Sequence, residues 1–381
     1  MTKARSGSRA RILHCHSTFS AGGKERRAVQ LMNAFGRAAE HIVVSAMPDE
    51  MGARSLIDPR VPVRFPDDFP SLTGRPTPGR LVAIARALEG YDLILTYNWG
   101  AMDVVMAHTM FGQQFGLPPL IHHEDGFNDD EARQLKMSRN LYRRAALLRI
   151  NGLVVPSRVL EKIAVTKWAQ PPDRITRIPN GIDTQALAKK ADPNVIRLVK
   201  RAGERWVGSL AGLRPVKQLD QLVGAFGEMP ETWHLVIIGD GPEKAAIRAA
   251  AARQGIEHRV HLPGPVSDPA KVIGLFDIFA LSSASEQFPL SVVEAMAAGL
   301  PVAAPAVGDV ASIVASPNAP YITPPGDMEA LGKSLESLAH DPESRADIGR
   351  ANQQKAQEQF DAKTMIDRYR SLYSGAMGRE L

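Results

Sequence analysis

The chain has 381 residues, of which 44% are hydrophobic and 23% are charged, and its formal net charge is +5 at pH 7. These values are typical of a soluble globular protein that is too long for one ordinary core, so two domains are expected. The lone Cys15 excludes an internal disulfide and a cysteine-based zinc cluster, and no apolar run reaches the roughly 20 residues of a membrane helix.

The chain begins with a basic segment. Residues 1–10 lack the apolar stretch of a signal peptide, so they are expected to be disordered. The use of one cysteine indicates a reducing cytosol, and a cytoplasmic location is predicted. The positive net charge is compatible with anionic substrates or an anionic membrane surface, but it identifies neither.

Strand and helix patterns alternate along the first half of the chain. In order, the predicted elements are a strand at 11–20, a helix at 24–37, strand 41–47, helix 79–89, strand 91–98, helix 100–115, a strand ending in PLIHHEDG (119–126), and strand 153–157 leading into a helix. Such alternation predicts a parallel, doubly wound sheet.

A second series of the same kind follows a charged stretch. Its predicted elements are strand 206–212, helix 218–228, strand 234–242, the strand VHLPG, strands 277–283 and 300–306, and a largely helical end from about residue 327. We therefore expect an α/β protein with two Rossmann-like domains, at 11–185 and 205–355. A linker at 186–204 and a C-terminal helix at 356–381 complete the predicted organisation.

The segment 282–310 carries two carboxylates in an informative setting. Glu294 lies in an apolar helical pattern, where burial of a carboxylate costs several kcal/mol unless a partner satisfies it. Glu286 lies eight positions earlier, so both would face one side if the loop before the helix were also helical. Two acceptors, no adjacent cationic side chain and a nearby helix N-terminus suit a polyhydroxylated anion such as a nucleotide sugar. The alternative is a core helix with two chance glutamates.

The same segment resembles the signature of the family 4 retaining glycosyltransferases, whose fold is called GT-B. The pattern S-x-x-E-G-x-G-L-x-x-x-E-A-M-A-x-G-x-P-V is reproduced at Ser283, Glu286, Leu290, Glu294, Ala295, Met296, Ala297, Gly299, Pro301 and Val302. The resemblance implies two facing domains with an interdomain cleft, the first on the acceptor side and the second binding the nucleotide sugar. It also implies that the C-terminal helix crosses back to the first domain.

The resemblance assigns roles to both carboxylates and to a lysine. Glu294 would hold the ribose hydroxyls of the donor, and Glu286 would contact the donor sugar. Lys217 ends the stretch VGSLAGLRPVK, which resembles a family segment of the form V-G-R-L-R-P-V-K. An ammonium there would neutralise a pyrophosphate, whereas the alternative is a solvated surface lysine. Where the family has an arginine this chain has Gly212, and Arg214 is the candidate substitute.

Two histidines end a strand of the first half. His122 and His123 precede Glu124 and Asp125, which invites a metal site, but adjacent residues of a strand point to opposite faces and do not readily share one ion. The resemblance assigns His122 to the donor sugar near the reacting carbon. Some relatives resemble E-H-G where this chain has Glu124-Asp125-Gly126, so a histidine is absent here and acceptor handling is expected to differ. The predicted catalytic residues are thus His122, Lys217 and Glu286.

Glycine turns and backbone amides complete the predicted donor site. Gly22 and Gly23 follow a strand and precede a helix without the three-glycine dinucleotide fingerprint, and the family places a Gly-Gly loop here. Gly239 and Gly241 follow another strand, where ligand contact and ordinary turn chemistry are the two readings. Finally, Pro289 replaces a family glycine and lacks an N–H group, which leaves the amides of Phe288 and Leu290 as donors.

The sequence therefore predicts a retaining, metal-independent glycosyltransferase, without a cofactor, that uses a nucleoside diphosphate sugar. We expect a UDP-sugar as donor and a saccharide or lipid-linked acceptor in cell-surface polysaccharide synthesis. The alternatives are a non-catalytic GT-B scaffold and a nucleotide-sugar epimerase. No nucleic-acid partner is expected. The basic stretch 141–152, with Arg143, Arg144 and Arg149, is either a solvated helix face or a peripheral contact with the anionic inner face of the plasma membrane.

Overall fold

The computed structural model describes residues 9–127, 131 and 135–381. The chain forms two units: the first ends at Pro179 and also takes in Met365–Leu381, and the second is Asn180–Thr364. The division falls between Pro179 and Asn180, in a segment with no regular secondary structure.

The first unit is built on a parallel sheet with the strand order β3-β2-β1-β4-β5-β6-β7 among the described residues. The strands are β1 (Ala10–His16), β2 (Ala39–Ser45), β3 (Val63–Arg64), β4 (Leu93–Tyr97), β5 (Leu120–His123), β6 (Gly152–Val155) and β7 (Ile175–Arg177). The helices between them are α1 (Gly23–Phe35), α2 (Pro78–Ala87), α3 (Met102–Phe115), α4 (Met137–Ala146) and α5 (Arg158–Thr166).

The central strands of this sheet are covered on both faces. All five residues of β4 are buried, as expected for a parallel strand with helices on either side. Successive residues enter different layers: Ile94 joins the cluster with α2 and α3, and Leu93 and Leu95 join the cluster with α1. Because side chains alternate between the two faces of a strand, this one sheet contributes residues to a hydrophobic core on each face.

The second unit repeats the plan with the strand order β10-β9-β8-β11-β12-β13. Its strands are β8 (Arg205–Leu210), β9 (Trp233–Ile238), β10 (Val260–Gly264), β11 (Ile278–Ala280), β12 (Val302–Pro305) and β13 (Ile322–Thr323). Its helices are α6 (Thr184–Leu187), α7 (Leu219–Phe226), α8 (Lys244–Arg253), α9 (Leu290–Ala297), α10 (Val310–Ile313), α11 (Met328–His340) and α12 (Pro342–Gln359).

A last helix, α13 (Ala362–Met377), returns to the first unit. Its Met365, Tyr369 and Tyr373 are buried in the core cluster that also holds residues of β1 and β4. A chain end that packs this way contributes to the core of a unit whose other elements are nearly 200 residues away in sequence.

Two parallel-sheet α/β units confirm the predicted fold class. The structure adds the short edge strands β3, β7 and β13, which are two or three residues long and only partly buried, so they lack an apolar run that a sequence pattern could reveal. The segment 186–204, expected to be a linker, packs on the second unit: Asp192 N–H donates to Lys271 O (2.8 Å), and Lys200 Nζ donates to Asp277 (2.6 Å). The expected disorder of 1–10 falls mostly outside the described residues.

Candidate active site

The loop after β8 carries the predicted phosphate-binding residues of the second unit. It is held down by the turn after β9, where Leu213 N–H donates to Asp240 O (2.9 Å) and Ala211 N–H donates to Ile238 O (3.1 Å). Gly239 and Gly241 have φ angles of 152° and 155°. A Cβ on Gly239 would lie 1.8 Å from Ala211 O, so only glycine fits there. These glycines therefore support the loop that leads to Lys217.

Lys217 and Glu286 meet at the carboxyl edge of this sheet. Lys217 Nζ lies 2.5 Å from Glu286 Oε1, and Ser283 Oγ donates to the same oxygen at 2.7 Å. Ser282 Oγ donates to the backbone oxygen of Lys217 at 2.8 Å. Both serines are buried, and the two charged side chains are 15% and 13% exposed. The arrangement holds an ammonium and a carboxylate together at the surface of the unit.

This contact corrects one sequence-based expectation. Glu286 has no cationic neighbour along the chain, but β8 and β11 are adjacent in the sheet, so the loops that follow them meet. Glu286 is also not helical, because α9 begins only at Leu290. The argument that both glutamates share a face through helical spacing is therefore wrong, and the position of Glu286 depends instead on Lys217 and Ser283.

Glu294 lies in the middle of α9 and is half-buried, so the expected full burial is wrong. Its helix neighbours Val292, Val293, Ala295 and Met296 are all fully buried. The helix packs these apolar residues into the core, and Glu294 keeps partial exposure to solvent. A carboxylate in this position accepts hydrogen bonds from a ligand at lower cost than a fully buried one.

Arg214 is an exposed side chain close to the position of the missing family arginine. Its Nε lies 3.7 Å from where a Cβ on Gly212 would be. The absence of a side chain at 212 leaves room that the Arg214 guanidinium reaches. The Arg214 side chain is therefore close enough to position 212 to take the place of the family arginine that this chain lacks.

Of the two predicted backbone donors, Leu290 begins α9 and Phe288 lies two residues before it. Pro289 precedes the helix, Leu290 is its first residue, and the Phe288 ring packs edge-on against Phe360 with 5.6 Å between centroids. The first N–H groups of any α-helix have no partner within the helix. The Phe288 side chain is thus structural, whereas the Leu290 amide belongs to an anion-attracting helix end.

In the first unit, His122 is fully buried near the end of β5. Its Nδ1 lies 2.8 Å from Thr96 Oγ1 on β4, and its Nε2 lies 3.7 Å from Glu124 Oε2. His123 points to the other face, as predicted. Its Nδ1 lies 3.2 Å from Thr96 O, and its Nε2 lies 2.8 Å from the Tyr373 hydroxyl on α13. A carbonyl accepts only, so Nδ1 carries the proton and Tyr373 donates to Nε2.

Sequence reasoning missed the buried histidine cluster around β1. His14, His16, His41 and His123 are at most 2% exposed, and His14 Nε2 lies 2.9 Å from His41 Nδ1. Burial lowers the pKa of each ring, to about 4 for His41 and about 3 for His123. The pattern His-x-His at 14 and 16 places both rings on one face of β1 and was the available signal.

Gly22 precedes α1, but Gly23 is the first residue of the helix, one position earlier than the predicted helix start, and a carboxylate lies beside them. Glu25 is buried in the first turn of α1, where it accepts from Thr18 Oγ1 (3.1 Å) and pairs with Lys24. A Cβ on Gly22 would lie 2.7 Å from Glu25 Oε2. The close approach of this carboxylate leaves little room for a side chain at position 22 and so explains the glycine there. Gly23 is exposed, and no atom lies within 4 Å of where its Cβ would be.

Arg143 departs from both readings of the basic stretch, because it is buried. Its Nε donates to Glu124 Oε2 at 3.1 Å, and its guanidinium lies 5.0–5.3 Å from the ring centroids of Trp99, Phe127 and Trp168. Arg144 and Arg149 are exposed. No local pattern could separate the three arginines, since the aromatic partners are spread over 70 positions.

The described part of the chain holds no group of three or more histidine, cysteine, aspartate or glutamate side chains placed to hold a metal ion. Within the same residues, no helix is long and apolar enough to cross a bilayer.

Two family models match the chain. Residues 21–186 match the model described as Glycosyltransferase Family 4, and residues 193–355 match that described as Glycosyl transferases group 1. Among similar relatives, the N-acetyl-alpha-D-glucosaminyl L-malate synthase of Bacillus anthracis is 26% identical over 54% of each chain. The GDP-mannose-dependent alpha-mannosyltransferase of Mycobacterium tuberculosis is 27% identical over 80% of each chain. The chain spans about half the length of the first of these relatives.

A solved structure shares the fold of this chain. Anabaena HepE, crystallised in complex with UDP, superposes with a TM-score of 0.80 at 21% identity, covering 96% of this chain and 100% of that one. The likeness shows that the two units form the GT-B fold.

Proposed function

Because the chain belongs to the family 4 glycosyltransferases, we propose that it is a retaining glycosyltransferase. It transfers a sugar from a nucleoside diphosphate sugar to a hydroxyl of an acceptor. The observation that carries this proposal is the cluster of Lys217, Glu286 and Ser283, together with the half-buried Glu294 on α9. Lys217 and Glu286 supply a cation and a carboxylate at the carboxyl edge of a Rossmann-like sheet, the edge that binds nucleotides in such folds, and Glu294 supplies a second carboxylate on the helix that begins just after Glu286.

Each group has a distinct task in the proposed reaction. Glu294 accepts hydrogen bonds from the ribose hydroxyls. Lys217 and Arg214 neutralise the diphosphate, and the first turn of α9 offers further N–H groups to an anion. Glu286 accepts from a hydroxyl of the donor sugar once Lys217 turns to the phosphate. His122 stays the residue that the resemblance assigns to the donor sugar.

The chemical step exchanges one bond for another at the anomeric carbon. The acceptor oxygen forms a bond to this carbon on the face from which the nucleotide departs, while the bond to the β-phosphate oxygen breaks. That phosphate oxygen takes the acceptor proton, so charge and protons balance. The side-chain cations stabilise the negative charge of the leaving group, and we therefore propose that transfer needs no metal ion.

We propose a UDP-sugar as donor. The UDP complex of the structurally similar HepE supports uracil as the base of the donor nucleotide. The mannosyltransferase relative is named for GDP-mannose, so the identity of the donor base is the first variable to test. The proposed acceptor is a saccharide or lipid-linked saccharide in cell-surface polysaccharide synthesis, handled by a cytoplasmic enzyme. Peripheral contact with an anionic membrane is proposed for the exposed side of α4, where Met137 and Leu141 accompany Arg144.

The experiment is a thermal-shift panel of UDP-, GDP- and ADP-sugars with the wild type and Glu294→Ala. We expect one UDP-sugar to raise the melting temperature of the wild type and to have little effect on the variant. The product anomer, read by NMR, then tests retention, and EDTA tests metal independence. Stabilisation without turnover would favour the non-catalytic scaffold. Conversion of the donor sugar without any acceptor would favour the epimerase, and no stabilisation by any nucleotide would contradict the proposal.

A further inference from the structure

The first unit has a cavity of about 500 Å³ beyond the carboxyl ends of β2 and β4. Its lining includes Leu72, Thr73, Trp99, Asp103, Arg139 and Tyr142. The volume and the mixture of apolar walls with a few polar groups are those of a small-molecule site. None of these residues belongs to the donor site described above.

Asp103 supplies a hydrogen-bond acceptor whose position is fixed from two sides. Its Oδ1 accepts from the Tyr142 hydroxyl at 2.6 Å, and its Oδ2 is paired with Arg80 Nη1. A carboxylate offers about four acceptor positions, so Asp103 can still accept from ligand hydroxyls. Because the Tyr142 proton is given to Asp103, the Tyr142 oxygen also remains able to accept.

Among the described residues, two arginines near the cavity are each paired with a carboxylate. Arg80 is paired with Asp103, and Arg139 Nη1 lies 2.9 Å from Glu131 Oε2. Each of these cations already faces a carboxylate, so a phosphate or carboxylate ligand would have to displace an existing partner. A neutral ligand with many hydroxyl groups meets no such cost.

Aromatic surface provides the apolar part of the site. Trp99 and Tyr142 meet edge to face with 5.7 Å between ring centroids, and both are partly exposed. Aromatic walls combined with a fixed carboxylate and hydroxyl suit a pyranose, which has apolar C–H faces and a polar rim.

The cavity is connected to the predicted catalytic histidine within the same unit. The Arg143 guanidinium lies over the Trp99 ring at 5.0 Å and donates to Glu124, whose Oε2 lies 3.7 Å from His122 Nε2. The buried atoms Glu124 Oε1, Arg143 Nη2 and His122 Nε2 have no hydrogen-bond partner among the described residues. Trp99 and Arg143 therefore lie between a ligand in the cavity and Glu124. The atoms of this buried group that have no partner can still form hydrogen bonds.

We propose that this cavity binds an uncharged saccharide unit of the acceptor, with Asp103 and Tyr142 as the residues that recognise its hydroxyl groups. The inference rests on the proposed function and narrows its acceptor to a sugar that carries no phosphate at this subsite.

Tryptophan fluorescence tests binding without any need for turnover. Of the four tryptophans, Trp168, Trp206 and Trp233 are at most 3% exposed, so quenching by acrylamide reports mainly on Trp99. Maltose, cellobiose, lactose, trehalose and inositol 3-phosphate are the probes, each added with and without UDP. We expect at least one neutral disaccharide to protect the wild type from quenching and to have no effect on Trp99→Phe. Protection by inositol 3-phosphate alone, or by none of the probes, would overturn the inference.

Transfer kinetics with the protecting disaccharide supply the second test. Asp103→Asn and Tyr142→Phe are expected to raise its KM at least tenfold and to leave the KM of the donor within twofold. Asp58→Asn and Tyr91→Phe, an ion-paired aspartate and a half-buried tyrosine of the same unit outside the cavity, should match the wild type. An unchanged acceptor KM in both cavity variants refutes the assignment. If instead no nucleotide sugar stabilises or reacts with the protein, the proposed function fails while the fluorescence result still decides the cavity.

Discussion

Lys217 Nζ and Glu286 Oε1 lie 2.5 Å apart across 69 positions of sequence. A phosphate that binds this ammonium competes with the carboxylate for it. Under the proposed function the pair would couple two events, since capture of the diphosphate by Lys217 would release an oxygen of Glu286 for a hydroxyl of the sugar. The coupling is local to the loops after β8 and β11 and needs no movement of either strand.

The competition predicts opposite effects for the two members of the pair. Glu286→Gln should bind UDP more tightly, by up to about tenfold, because the competing charge is gone, and yet transfer more slowly. Lys217→Met should weaken UDP binding about 10- to 100-fold, the usual range for a hydrogen bond to a charged group. Calorimetric titration with UDP measures both. Lys333→Met, which removes a lysine from the exposed pair with Glu329, is the control, and weaker binding by Glu286→Gln would contradict the competition.

The close contact at Gly239 makes it a sensitive position for the donor site. A Cβ at 239 would meet Ala211 O at 1.8 Å, so Gly239→Ala must shift the loop that carries Arg214 and Lys217. We expect a loss of more than about 2 kcal/mol in unfolding free energy, because the added methyl group overpacks the contact, together with weaker UDP binding. Gly203→Ala is the matched control, because its φ is also positive, at 86°, but a Cβ there meets no atom within 4 Å. This substitution should lower the unfolding free energy only by the cost of a left-handed backbone at a residue with a side chain, about 1–2 kcal/mol. Urea titrations and UDP binding measure the difference.

Much of this arrangement could be predicted from the sequence, and the exceptions have physical causes. The long strands and helices follow from apolar runs, and Glu294 and Lys217 stand in recognisable segments. The contact between Lys217 and Glu286 could not be predicted from the sequence, because it depends on β11 lying next to β8 and not on any spacing along the chain. The burial of Arg143 has the same origin, since three distant aromatic residues form its surroundings.

Arg143 is predicted to be a stabilising residue of the first unit. Arg143→Met would leave Glu124 and Glu131 as buried carboxylates without this guanidinium, and removal of one member of a buried pair typically costs about 3–5 kcal/mol. Arg177→Met, from a pair whose side chains are 34% and 41% exposed, should cost at most about 1 kcal/mol. Urea unfolding compares the two. Equal effects would show that burial of the pair is energetically unimportant.

The buried histidines predict that stability falls on mild acidification. Their pKa values are lowered in the folded chain, to about 4 for His41 and about 3 for His123, so between these values and about 6.5 the unfolded chain binds more protons. Stability is therefore complete above pH 6.5 and decreases as the pH falls, by about 1.4 kcal/mol per pH unit for each such histidine. Urea unfolding between pH 7 and pH 5 measures how the unfolding free energy changes with pH. His41→Phe should make this dependence shallower by the contribution of one histidine. A flat profile would contradict the burial of these rings as neutral groups.

The proximity of Arg214 to position 212 predicts a rescue. Arg214→Met should raise the dissociation constant of UDP by about tenfold, because one of two cations near the diphosphate is lost. Gly212→Arg in that background should restore most of the affinity, since the Cβ of the new side chain would lie 3.7 Å from the former Arg214 Nε and the side chain can reach the same region. In the wild-type background the same substitution should add little, because the two guanidinium groups would crowd each other. Calorimetry on the three variants tests this, and Arg248→Met, on α8 of the same unit, controls for the loss of positive charge. A single variant at 214 that binds UDP like the wild type would mean that Lys217 neutralises the diphosphate without a second side chain.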